Sequence, residues 1–374
     1  MPDVSGAVRP VQVSLITVSD IFHPLEVLDV RPETADAVTL RLRAPASAAE
    51  IFAFHPGQYL TLRADIGGED IRRSYSICAA PADGELRVGI KRVAGGRFSS
   101  WVSALRAGDV IEAMPPNGSF TWDFVPGRAA SYVAFAAGSG ITPILSLLKT
   151  ALAVEPGSRF TLLYGNRSSD SIIFLEELAA LKNRYLGRLQ VYHFLTAEVD
   201  DVELFNGRLD APRIAEALRS LVDSARLEAA FVCGPAAMMD AAERGLIEAG
   251  VDPARILVER FTAGPVSAEQ AAAARVLEAK AEGRMVQVTL DGRRRAVEFH
   301  AGLGSILESA RAAGLPAPFA CKAGVCATCR ARLTAGQVEM KANYGLSPDE
   351  VAQGFVLTCQ AVPLTDDVAV DFDG

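Results

Sequence analysis

The chain has 374 residues, enough for two or three domains that each bury a core. Half of the residues are hydrophobic and 22% are charged, which excludes the disordered and fibrous classes. A formal net charge of −8 without a basic stripe speaks against nucleic acid or an anionic membrane as the partner.

Residues 1–21 read as an N-terminal extension. The extension has no basic segment followed by a long apolar one, and no stretch of the chain reaches the roughly 18–20 apolar residues that span a bilayer. Cys78 and Cys233 lie in unrelated contexts and suggest no disulfide framework, so a cytoplasmic location is expected.

From residue 22 to 126, short alternating runs with turn punctuation predict a small antiparallel barrel. The runs are Ala37–Leu42, Gln58–Leu62, Ser74–Ile77 and Leu86–Ile90. Two of its motifs suggest a flavin site. In Arg73-Ser74-Tyr75-Ser76, the arginine can pair with a pyrophosphate, the tyrosine can stack on an isoalloxazine and Ser76 can reach the flavin edge. In Gly96-Arg97-Phe98-Ser99, a glycine turn enters a helix-like segment whose backbone N–H groups suit phosphate. Each motif alone is also an ordinary structural element.

After Gly127 the character changes. Tyr132–Ala137 is a continuous apolar run, as in a strand buried on both faces. A glycine turn and a helix over 143–153 follow, and the strand signal recurs at 160–164, 189–195 and 229–233. Alternating β and α at this spacing predicts a doubly wound parallel sheet over residues 127–262. Gly138-Ser139-Gly140-Ile141-Thr142-Pro143 lacks the full dinucleotide fingerprint, so it is either a plain turn or a pyrophosphate and nicotinamide site. Cys233-Gly234-Pro235 ends another strand, where ligands of such sheets bind, although a buried cysteine is usually a small hydrophobe. Arg167 follows the 160–164 strand and precedes Asp170. That order favours the 2′-phosphate of NADPH, with NADH possible and a plain surface charge as the bland reading.

Residues 263–283 read as a linker with some helical tendency. Strands are expected again at 285–290 and 296–299, with a helix over 305–312. Cys321, Cys326 and Cys329 then stand in C-x4-C-x2-C order, with Cys359 on a later strand. This is plant-type [2Fe-2S] spacing. Gly324 suits a positive φ in a tight loop around the cluster. A structural zinc site is the competing reading, but it would pair its cysteines in two separated C-x2–4-C units.

Taken together, these motifs resemble the flavin-dependent ferredoxin–NADP reductase superfamily fused to a C-terminal plant-type ferredoxin. Within it they are most similar to the reductase subunits of phenylacetyl-CoA ring 1,2-epoxidase systems. The resemblance rests on Arg72–Ile77, Gly95–Ser99, Ala136–Pro143, Tyr164–Arg167, Cys233–Asp240, Glu259-Arg260-Phe261, Gly324–Cys329 and Cys359-Gln360-Ala361. It implies three domains: an FAD barrel at 22–126, a nucleotide domain at 127–262 and an α+β β-grasp ferredoxin at 284–374. It further implies that Arg73, Ser74, Tyr75 and Ser76 hold FAD and that Gly96 to Ser99 cradle its pyrophosphate. Gly138, Gly140, Thr142, Arg167, Gly234 and Pro235 would bind the nucleotide. Ser76, Cys233 and Glu259 would flank the reacting rings, with Phe261 covering the second flavin face. The partner it implies is an oxygenase component with an iron active site, di-iron epoxidase subunits in particular. The alternatives are an NADH-dependent reductase, with FAD or FMN, of a dioxygenase, demethylase or steroid hydroxylase, and a zinc-stabilised nucleotide-binding scaffold without redox activity.

Overall fold

The computed structural model describes residues 22–261 and 267–374. The expected N-terminal extension, 1–21, lies outside the described residues. Six strands build the first unit: β1 (His23–Thr34), β2 (Ala37–Arg43), β3 (Tyr59–Asp65), β4 (Asp70–Ser76), β5 (Leu86–Lys91) and β6 (Val110–Ala113). They pair antiparallel in the order β4-β3-β6-β1-β2-β5. A bridge from Ile77 to Val88 and the Cys78 N–H to the Arg87 carbonyl at 2.8 Å join the two end strands into a barrel. Leu25, Leu40, Leu60, Leu62 and Val88 fill its interior, as the alternation in the strands requires. The short helix α1 (Arg97–Val102) caps the barrel.

The second unit is a five-stranded parallel sheet of β7 (Ser131–Ala137), β8 (Arg159–Asn166), β9 (Leu189–Leu195), β10 (Leu227–Cys233) and β11 (Ile256–Glu259). Its connecting helices are α2 (Ile141–Val154), α3 (Leu175–Arg184), α4 (Ala211–Leu221) and α5 (Ala236–Glu248). The strand order β11-β10-β7-β8-β9 is doubly wound, and the winding reverses between β7 and β10. The loops after those two strands are packed together. A Cβ on Gly140 would lie 2.0 Å from the Cys233 carbonyl oxygen, so only glycine fits there.

The expected linker is largely a helix. Of residues 263–283, those at 263–266 lie outside the described residues, and α6 (Ala268–Ala281) occupies most of the rest. Ser267 and Gln270 form a capping box that starts it. Ala281 and Leu277 pack into the third core, and Glu278 meets Lys341 at 2.6 Å. Helix α6 is therefore part of the third unit rather than a spacer.

The third unit has strands β12 (Met285–Leu290), β13 (Arg293–Glu298), β14 (Arg330–Ala335), β15 (Val338–Met340), β16 (Phe355–Leu357), β17 (Ala361–Pro363) and β18 (Ala369–Asp371). Its main sheet runs β13-β12-β18-β14-β16, with β12 and β18 parallel. Helix α7 (Ile306–Ala312) covers that sheet, and α8 (Pro348–Ala352) precedes β16. This is the β-grasp arrangement of a mixed sheet holding one helix. Among the described residues, no helix is long and apolar enough to cross a membrane.

Gly140→Ala should cost about 3 kcal/mol by overpacking and lower the thermal midpoint by roughly 6–12 °C. Gly302→Ala, where a Cβ meets nothing within 4 Å, serves as the control in differential scanning calorimetry.

Candidate functional site

A cleft of about 1270 Å³ opens where the three units meet. Arg73, Ser74, Tyr75 and Ser76 line it from β4, and Gly96 to Ser99 from the start of α1. The nucleotide unit contributes Ser139, Thr142, Glu259 and Phe261, and the third unit contributes Cys321 and Cys326.

On the barrel side, the Tyr75 ring lies 5.8 Å from Phe98. Phe98 is only 2% exposed, so its ring supports Tyr75 from within the core, and its backbone is what the cleft meets. A Cβ on Gly96 would press to 2.6 Å from the Ser99 Oγ, leaving an open backbone cradle there. Arg97 is already engaged by Glu69 at 2.6 Å, at the cleft edge. Arg73 donates to the Arg72 carbonyl at 2.7 Å, and Ser74 pairs with Thr61 at 3.1 Å.

On the nucleotide side, Gly138, Gly140 and Thr142 follow β7, while Cys233 ends β10 and Gly234 and Pro235 follow it, the two strands flanking the reversal of the sheet. Thr142 donates to the Ser139 carbonyl at 2.9 Å and abuts Gly89 of the barrel. Cys233 is completely buried, and burial pushes its thiol well up. It pairs in register with Glu259, whose carboxylate accepts from the Ser76 hydroxyl at 3.5 Å. Ser76, Cys233 and Glu259, some 180 residues apart at the extremes, are thus brought together. Desolvation pushes the Glu259 carboxyl up to about 8, with the Ser76 hydrogen bond opposing it. Phe261 is 40% exposed on the cleft wall. Arg167 lies exposed just past the end of β8, outside the cleft, and its carbonyl accepts from Thr196 and Ala197.

In the third unit, the four thiols fall into two pairs, Cys321 with Cys326 and Cys329 with Cys359. The hydrogen bond from Cys326 pulls the Cys321 thiol down, and the Ala323 N–H lies 3.3 Å from the same sulfur. Among the described residues, no three Cys, His, Asp or Glu side chains are grouped around one ion. Four cysteine thiols are the donor set of a [2Fe-2S] cluster. Gly324 takes φ +75°, as expected, and Lys322 and Ala327 also adopt positive φ. Backbone strain of this kind gathers at ligand clamps.

The geometry agrees with what is found among known proteins. Family models match the oxidoreductase FAD-binding domain at residues 24–122, the oxidoreductase NAD-binding domain at 135–244 and the 2Fe-2S iron-sulfur cluster binding domain at 288–364. The chain is 44% identical to a component of the 1,2-phenylacetyl-CoA epoxidase of Escherichia coli, over 94% of this chain and 98% of that one. The chain belongs to the flavin and iron–sulfur reductase components of oxygenase systems. Another relative of this reductase is the ferredoxin reductase component of 3-ketosteroid-9-alpha-monooxygenase from Rhodococcus rhodochrous, 34% identical over 93% of this chain and 96% of that one. The solved phthalate dioxygenase reductase shares its fold, with a TM-score of 0.58 at 22% identity, covering 95% of this chain and all of that one. The reductase accordingly has an FAD site, a nicotinamide nucleotide site and a [2Fe-2S] site.

Several residues at the cleft carried no functional assignment from the sequence. Tyr59 pairs with Ser76 in the β3–β4 register and lines the cleft. Gln360 donates to the Lys322 carbonyl at 3.0 Å and lies 3.7 Å from the Cys359 sulfur. Tyr344 stacks under Arg260 at 5.6 Å. The S-x-x-Q pattern of Ser267–Gln270 was the available signal for α6, whereas nothing local marks Tyr59.

The raised Glu259 pKa makes a testable demand on stability. The folded protein holds a proton there that the unfolded chain releases near 4.5, so the stability that Glu259 contributes falls as pH rises from about 4.5 to about 8 and then levels. Glu259→Gln should flatten that segment of the apoprotein's stability profile in urea titrations. An unchanged slope would mean that Glu259 is solvated.

Proposed function

We propose that this reductase uses NADPH to supply a di-iron phenylacetyl-CoA epoxidase, and that it works in the cytoplasm without nucleic acid or membrane partners. The observation that carries the electron route is a single cleft lined by both the flavin motif and two cluster cysteines. FAD held there would supply hydride acceptance from the nicotinamide and single-electron delivery to the [2Fe-2S] centre.

The chain's own residues orient and enclose. Tyr75 offers a stacking face held from behind by Phe98, while Arg73 and the Gly96–Ser99 turn suit the pyrophosphate. Gly138, Gly140, Gly234 and Pro235 shape the entry for the nucleotide, and Thr142 fixes its level against the barrel. Ser76 and Glu259 present a hydroxyl–carboxyl pair beside Cys233, where the reacting rings would meet. Phe261 would cover the flavin until nicotinamide displaces it. Cys321, Cys326, Cys329 and Cys359 would hold the two irons. Catalysis is therefore mostly positioning. The units are assigned to 22–126, 127–262 and 284–374, with α6 bracing the third.

The NADPH assignment rests on Arg167, which is exposed beyond β8 where the adenosine ribose of a doubly wound site lies. The epoxidase assignment rests on the likeness to the Escherichia coli protein over almost its whole length.

Anaerobic addition of NADPH should bleach both flavin and cluster absorbance, and the released flavin should be FAD. Cys329→Ala should keep the flavin response and lose the cluster signal. Arg167→Ala should raise the KM for NADPH roughly tenfold and leave that for NADH unchanged. Mixed with phenylacetyl-CoA epoxidase subunits, the reductase should couple NADPH oxidation to epoxide formation. NADPH consumption without product would refute this choice of partner.

A further inference from the structure

The third unit touches the barrel through contacts that neither the cofactor motifs nor the cysteine ligands account for. The Tyr59 hydroxyl donates to the backbone carbonyl of Cys326, across 267 positions of sequence. Its ring, 7% exposed, packs with Ala320, Cys326 and Cys321 in a small apolar cluster that bridges the two units. The Tyr59 backbone is held in turn by Asn117, through N–H to carbonyl bonds of 2.9 and 3.0 Å. A Cβ on Gly118 would come within 3.0 Å of the ring, so the phenol is clamped from the barrel side as well.

A second contact lies alongside. Arg72, on β4, places its guanidinium 4.1 Å from the centre of the Phe319 ring and donates to the Phe319 carbonyl at 3.4 Å. Phe319 stands two residues before Cys321 and also carries Arg311 at 3.9 Å and Lys322 at 4.5 Å. Asp70 and Glu308 offset this crowding of positive charge, pairing with Arg72 at 2.7 Å and with Lys322 at 2.9 Å.

The geometry points to Tyr59, assisted by Arg72, as the positioning residue that docks the cluster loop on the flavin barrel for electron transfer. This rests on the reading of Cys321, Cys326, Cys329 and Cys359 as cluster ligands. Tyr59 is suited to the task because it faces both sites. It is the register partner of Ser76 in the flavin motif, and its hydroxyl holds the backbone of a cluster ligand. Tyr59 itself takes no electron and gives up no proton. The phenol would fix the distance between flavin and irons, across which single electrons would pass. Arg72 acts at the rim, where a cation over a ring resists sliding of the loop.

The test uses the full-length holoprotein with Tyr59→Phe, Arg72→Met and the double variant. Hydrogen exchange over residues 319–327 reports docking without reference to turnover. Each single change should raise exchange there roughly fivefold, and the double change about twenty-five-fold, as independent contacts would. Anaerobic stopped-flow with NADPH then separates two steps. Flavin reduction should stay within twofold of the parent, while cluster reduction in the double variant slows several-fold. The ring-retaining Tyr59→Phe should slow it less than Tyr59→Ala. Electron paramagnetic resonance of the dithionite-reduced variants should show an unaltered cluster, which separates lost docking from lost ligation. Unchanged exchange together with unchanged cluster reduction would overturn the assignment of Tyr59. A parent protein with no iron–sulfur signal would instead overturn the reading beneath it.

Discussion

Arg87 of the barrel and Lys149 of the nucleotide unit share the carboxylate of Glu177, at 2.9 and 2.7 Å, and Lys149 also reaches Asp83 of the barrel at 2.7 Å. The Ser146 hydroxyl adds a bond to the Ala79 carbonyl at 2.6 Å across the same seam. Arg87, Lys149 and Glu177 are only partly exposed, so removing one member leaves the others incompletely paired. The proposed chemistry depends on this seam. Ser76 belongs to one unit and Glu259 and Cys233 to the other, so sliding along the seam would separate them. The fit of Thr142 against Gly89 fixes the same junction by shape, since a side chain on residue 89 would collide with the threonine methyl at 2.5 Å.

Much of this was legible in the sequence because the deciding rules are local. A six-residue apolar run closed by a glycine turn and a proline reads as a buried strand entering a helix, and β7 and α2 lie where that reading puts them. The cysteine spacing is equally local, and it carried the cluster loop together with the positive φ of Gly324. Longer-range features were not readable. Strand β1 is the longest in the barrel, yet Pro24 and Pro32 and two register irregularities break its alternation. Helix α6 has no marked apolar stripe, so its composition looks like a linker, and only its Ser267–Gln270 cap betrays it. Phe98 sits inside a cofactor motif but is a core ring. Tyr59 looks like any other strand tyrosine until residues far along the chain fold against it.

The site also shows how burial and charge divide the work. The side proposed for the flavin is lined by hydroxyls, a ring open to stacking and a carboxyl whose pKa desolvation raises, an environment that suits a large planar ring. The cluster side presents N–H groups directed at sulfur, as in Ala323 to Cys321, which suit a compact anion. Tyr59 stands at the border between the two.

Only residues 262–266 separate the end of the nucleotide unit from the cap of α6, and α6 is packed on the ferredoxin fold. Because both units belong to one chain, their docking is intramolecular, at an effective concentration on the order of millimolar. A contact surface with a dissociation constant in the same range, far too weak to hold two free proteins together, is then occupied for much of the time. The reductase therefore has no need of an extensive, high-affinity seat for its ferredoxin. A phenol, a guanidinium and a ring are enough, and a seat so modest can be vacated cheaply.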